Sequence, residues 1–194
     1  MDDGQIGHKA MKSQDIVVLL KLALLHKRFK GERDIASPNR EEFRVRDLGA
    51  SLFISKSEVD YSIKRSIQAG LALKDRVNGI PKANVSAVLE FAIHGLKYVF
   101  PPLLGAMVRG MPTASAAPVL KNKLQSSGDT ICVWPDPEGK AMGQEIKPLF
   151  KSVPEAARSD AELYDVLALV DAILIGNPRE SKVAQELLEQ KLKA

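Results

Sequence analysis

Apolar residues recur at helical spacing from residue 16: Ile16, Leu19, Leu20, Ala23 and Leu24 share a face, and Val17, Val18, Leu22 and Leu25 widen it. The spacing predicts a helix over 13–28, buried on much of its circumference. Ser13 can cap it, and Asp15 suits its positive end. Residues 30–42 show no apolar period and contain Gly31 and Pro38, so they read as a loop, either disordered or a functional insertion. From 43 to 52 a short strand is expected to become a helix with Val45, Leu48 and Leu52 on one side. Phe53 and Ile54 break the pattern. Ser55 then opens a second helix with Glu58 three residues on, the spacing of a capping box. Val59, Ile63 and Ile67 recur every four residues, and Gly70 is a natural stop. Residues 71–73 read as a strand, Asn78 and Gly79 as a hairpin turn, and Ile80 and Pro81 as an edge return.

The second half is patterned less evenly. Asn84 can cap a helix whose buried face is Val88, Leu89, Ala92, Ile93 and Leu96, and Pro101 with Pro102 closes it. Residues 101–128 are rich in Pro, Gly, Ala and Ser, with weak periodicity. Within them, 109–118 reads as an extended connector laid over a surface, where Thr113 and Ser115 can meet a ligand. Strands are expected at 131–134 and 141–146, joined by the turn cluster 135–139 as a hairpin. Ser159 with Glu162 is a second capping box, and Leu163, Leu167, Val170 and Leu174 carry a helix to Gly176. Asn177 caps a last helix with Pro178 at its first position and Val183, Leu187, Leu188 and Leu192 as its stripe.

Charge adds asymmetry to this picture. Residues 1–85 hold 16 of the 28 Lys and Arg but 11 of the 24 Asp and Glu, so the basic excess lies in the N-terminal part. Polyanion attraction would place it there. A single cysteine, Cys132, excludes an internal disulfide framework, which fits a reducing cytoplasm. The N-terminus lacks a charged-then-apolar leader pattern, and the apolar run at 16–25 is interrupted by Lys21 and shorter than the ~20 residues that span a bilayer. A cytoplasmic chain that does not enter a membrane is expected.

The order helix, strand, helix, tight turn, capped helix, hairpin is that of a winged helix. Over 45–73 the sequence resembles the bacterial winged helix-turn-helix regulators, MarR-like in the broad sense. The matching residues are Arg46, Asp47, Leu48, Leu52, Ile54 to Ser57, Val59, Ile63, Ile67 and Ala69 to Leu71. The resemblance covers about 13–85. It implies transcription regulation by duplex DNA binding, with the helix at 55–69 in the major groove. Ser57 and Tyr61 would contact base edges or phosphates, and Lys56, Lys64 and Arg65 would supply charge beside phosphates. Lys74 and Arg76 would reach the flanking backbone from the wing, and Arg44 and Arg46 are further phosphate contacts. It also implies a homodimer matched to two half-sites. The chain departs from the family at Gly49, where alanine is usual, and at Phe53, where the turn usually has glycine. A positive φ at Phe53 would store on the order of 1 kcal/mol. Asp60 would repel phosphate unless it accepts from a cytosine amine or pairs with Lys56 or Lys64.

Signals of catalysis are missing from the sequence. It contains neither a phosphate-cradling glycine loop, nor a His and Cys set at metal-ligand spacing, nor a nucleophile motif. Neither an enzymatic activity nor a cofactor or metal is expected. His8, His26 and His94 are scattered, and His94 is read as a core or boundary residue. Cys132 is read as a buried, inert thiol, and Trp134 as core packing. The chain is therefore expected to be mainly α with small β elements, an α+β fold. A winged helix-turn-helix at 13–85 would precede a helical extension with a β-hairpin at 86–194. The extension would serve dimerisation, a protein partner or effector binding. The C-terminal helices would pack on their own domain or on a second subunit. The alternative reading is a protein-interaction module of the same fold, such as an antitoxin or adaptor.

Overall fold

The computed structural model describes residues 10–29, 38–76, 78–121, 123–124 and 131–193. The readings of His8, of residues 30–37 and of residues 125–130 lie outside them. The described chain is mixed α and β, with more helix than strand and two small sheets.

Two helices far apart in sequence make its centre. The first, α1 (Ser13–Arg28), is buried at every position from Gln14 to Leu25, as its wide apolar face predicts. Its N-cap is Lys12 rather than Ser13. Asp15, three residues on, turns back to accept the Lys12 N–H at 2.9 Å, and the Ser13 hydroxyl donates instead to the Leu149 carbonyl at 2.5 Å. Next come a 3-10 turn (Pro38–Phe43) and α2 (Val45–Leu52), so the short strand expected at the start of 43–52 is replaced by a turn leading into the helix. Then follow α3 (Lys56–Gln68) and a two-stranded hairpin of β1 (Ala72–Lys74) and β2 (Pro81–Ala83). Asn84 caps α4 (Val85–Glu90) as expected. That helix runs through a π-helical turn at Phe91–Gly95 into α5 (Leu96–Val99). His94 on this stretch is exposed, not at the core.

Residues 101–128 contain a long strand that weak periodicity concealed. β3 (Leu104–Thr113) is the centre of a small closed sheet with β4 (Cys132–Pro135) and β5 (Ala141–Ile146). The expected β4–β5 hairpin is corrected. Both strands pair antiparallel with β3, β4 with its C-terminal part and β5 along the rest, and they lie parallel to each other. Gly110 sits opposite both Pro135 and Ala141, and a Cβ there would run into the Trp134 carbonyl. The closure of so small a sheet therefore requires glycine at that position.

The C-terminal part begins with a short helix not anticipated from sequence, α6 (Val153–Ser159). It leads to α7 (Ala161–Ile175), the second central helix, which is buried on nearly all sides. Asp160, not Ser159, is the α7 cap and accepts the Leu163 N–H at 3.1 Å. Its other oxygen meets Lys21 of α1 at 2.7 Å, a mostly buried ion pair that ties the two central helices together. Asn177 caps α8 (Pro178–Lys193) as expected, accepting from the Arg179 and Glu180 N–H groups at 3.0 Å. Ala184, Leu188 and Leu192 of α8 are buried within the chain, against α7, α1 and α4. Of the expected α8 stripe, Leu188 and Leu192 are buried within the chain, and Val183 and Leu187 are partly buried against the same core. One apolar cluster runs from Ile16 to Leu192, so the boundary expected between residues 85 and 86 does not divide the core.

Candidate nucleic-acid interface

The geometry of α2 and α3 follows from two helix ends of the same kind. Phe53 lies in the left-handed region at φ 53°, ψ 39°. Its N–H reaches the Ala50 carbonyl and the Ile54 N–H reaches the Gly49 carbonyl at 3.0 Å, which is a Schellman ending. Gly49 makes this reversal possible, because a Cβ there would sit 2.7 Å from the Ile54 carbonyl oxygen. The same ending closes α3 at Gly70, with φ 75° and Leu71 N–H bonded to Ser66. The first ending has phenylalanine at the left-handed position where the second has Gly70, which leaves Phe53 strained and half exposed.

Ser55 caps α3 by accepting the Glu58 N–H at 3.3 Å. The reciprocal half of the capping box is diverted. The Glu58 carboxylate takes the Gln14 amide at 2.5 Å and lies 3.5 Å from Lys12, which holds its carboxyl below the usual range. A stronger tie lies deeper. Arg65 donates through Nε and a terminal nitrogen to both oxygens of Asp15, at 2.8 and 2.6 Å. The two side chains are only 5% and 0% exposed. Val59, Ser62, Ile63 and Ser66 fill the rest of this inner face. Arg65 thus belongs to the α1–α3 contact, and its expected place on the outer face is corrected. Its guanidinium finds a carboxylate fifty positions away in sequence.

The opposite face of α3 carries the remaining expected residues. Lys56, Ser57, Tyr61 and Lys64 are exposed, with Asp60 partly so. Lys64 pairs with Asp60 at 2.7 Å and lies 5.8 Å from the centre of the Tyr61 ring. Asp60 is thus neutralised at helical spacing, one of the alternatives its position allowed. Lys74 and Arg76 are exposed on the hairpin. So is Lys82 of β2, directly opposite Leu73 of β1, which sequence reasoning passed over. Its signal was available, since it follows Pro81 on the returning arm. Arg44 and Arg46 are exposed on the first turn of α2, Arg44 pairing with Glu41 at 2.9 Å.

His26 holds the hairpin to α1. Its Nε2 donates to the Pro81 carbonyl at 2.9 Å while its ring lies tilted against Phe43 with centroids 4.6 Å apart, and burial pushes its pKa down. Among the described residues there is no cluster of His, Cys, Asp and Glu that could hold a metal, and no helix is long and apolar enough to cross a membrane. Comparison of the chain with protein-family models, with characterised proteins and with solved structures finds no match.

Proposed function

We propose that residues 13–85 form a winged helix-turn-helix that binds duplex DNA, with α3 in the major groove and the β1–β2 hairpin as its wing. The observation that carries this reading is the two-sidedness of α3. One face is pinned to α1 by the Asp15–Arg65 pair, and the other presents Lys56, Ser57, Tyr61 and Lys64 outward. A rigidly held helix with an exposed polar and basic face suits entry into a groove. Lys74, Arg76 and Lys82 extend the positive surface along the hairpin. Ser57 and Tyr61 would meet base edges, and Lys56, Lys64 and the hairpin cations would meet phosphates. Arg44 and Arg46 would add phosphate contacts at the start of α2. In this reading the protein is a bacterial-type, cytoplasmic transcription regulator that works as a homodimer.

The test is binding to a mixed-sequence duplex across a series of salt concentrations. The wild type is expected to bind with an affinity that falls steeply with salt. Lys56→Ala with Lys64→Ala should lower the affinity and reduce the log–log slope by about one per lost phosphate contact. Absence of duplex binding at low salt, or an unchanged slope in the double variant, contradicts the reading.

A second reading, a protein-interaction module such as an antitoxin or adaptor, is favoured by a separate observation. Tyr98, Val99, Leu103, Leu104, Met107 and Met142 are all more than half exposed, around the end of α5 and the β3–β5 ribbon. So many large apolar side chains on one part of a surface suit a protein partner, including a second copy of the chain.

A further inference from the structure

Between α5, β5 and the C-terminal half of α7 lies a cavity of ≈ 240 Å³. Its wall is largely apolar, with Phe100, Pro102, Pro148, Leu149 and Leu174 among the lining residues. Three wall residues are polar, Ser13, Lys147 and Asp171, and of these Asp171 is the buried one. Asp171 projects from the most buried part of α7 and is only 4% exposed. The Thr113 hydroxyl of β3 and the Trp134 indole of β4 donate to it at 2.7 and 2.6 Å, both to Oδ2. These two bonds hold the carboxyl group through Oδ2 alone, and Asp171 is one of the residues that line the cavity. Both donors are neutral, and no cation is paired with it among the described residues.

A carboxyl group in apolar surroundings is costly as an anion without a counter-charge. Here burial pushes it up to about 7. The other titratable groups around it do not relieve this. Cys132 on β4 is uncharged, its thiol pushed up by burial and by Asp171, and Lys147 lies at the exposed rim of the cavity. What would complete the arrangement is a cation carried in on an apolar body.

We propose that this cavity is a binding site for a small arylalkyl amine, whose ammonium group pairs with Asp171 while its ring packs among Phe100, Pro102, Pro148 and Leu174. The size fits: a cavity of about 150 Å³ accommodates benzene, so this one has room for a ring and a short aminoalkyl arm. The exposed Val99 and Leu103 form its mouth. Lys147, exposed among the lining residues, disfavours a second positive charge on the ligand. The site stands on the cavity and on Asp171 alone and is independent of DNA binding.

The experiment titrates the full chain with 2-phenylethylamine and with 2-phenylethanol, its neutral counterpart of matched size, at about pH 8, where the amine is still protonated. The amine is expected to bind about tenfold or more tightly than the alcohol. In Asp171→Asn, whose carbonyl can still accept from Thr113 and Trp134, that preference should vanish while alcohol binding persists. Carbon NMR of the Asp171 carboxyl in the wild type should show its titration midpoint falling when the amine is present. Equal binding of amine and alcohol, binding of neither at millimolar concentration, or a preference retained in Asp171→Asn overturns the proposal. If that variant does not fold, the wild-type carboxyl decides, and a midpoint unmoved by the amine overturns the proposal equally.

Discussion

Arg65 and Asp171 are two buried ionisable residues, and the position of Arg65 reverses what local pattern suggests. Arg65 lies two residues past Ile63 of the α3 stripe and next to Lys64, so a sequence reading groups it with the outer cations. Its role depends on Asp15, which only the folded chain brings within 2.6 Å. Removing one member of such a pair leaves the other charge buried and uncompensated, a loss of about 3–5 kcal/mol. Arg65→Ala is therefore expected to lower stability by roughly that amount in urea denaturation, and Asp15→Asn with Arg65→Met to recover much of it. A loss below about 1 kcal/mol in the single variant would show the pair to be solvated. Asp171 acts in the opposite sense. Its folded pKa of about 7 lies above the ordinary value of 3.8, so between those limits the folded state holds a proton that the unfolded state has released. Stability from this group is present below about pH 4 and is lost as pH rises to about 7. Asp171→Asn should consequently gain on the wild type across that window and keep the gain at higher pH. Melting temperatures at both ends measure it, and a gap independent of pH would contradict the assignment.

At the scale of elements, α1, α4, α7 and α8 were legible because their apolar faces are local properties, whereas the caps of α1 and α7 fell one residue away, at Lys12 rather than Ser13 and at Asp160 rather than Ser159. The turn between α2 and α3 was legible in outline. Its key exchange, glycine at position 49 and phenylalanine at 53, was visible as a departure, but its consequence depends on a close approach of Ile54 to the helix. Since Phe53 holds a positive φ while half exposed, Phe53→Gly should raise stability by about 1 kcal/mol. Thermal unfolding checks this, and destabilisation would mean that the ring contributes packing worth more than the strain. The strand β3 was not legible. Its N-terminal half is exposed on successive residues, so alternation fails, and its two partners arrive only later in the chain. For the same reason β4 and β5 were read as a hairpin, when each instead pairs with a strand that precedes both.

Over the whole molecule, the outer face of α3 and the basic hairpin could be found from sequence, whereas their support could not. α1 is buried all round because α7 and α8 cover the side that α3 and the hairpin leave open. The fragment 10–85 should consequently show no cooperative unfolding by circular dichroism, while the full chain melts in one transition. An independently folded fragment would contradict the single core. The central claim is that α3 and the hairpin meet duplex DNA. Its most direct test is amide NMR of the full chain during titration with a short duplex at low salt. Shifts are expected to concentrate at residues 56–64 and 73–82 and to spare residues 98–107. No change at 56–64, or change confined to the apolar surface around 98–107, would contradict it.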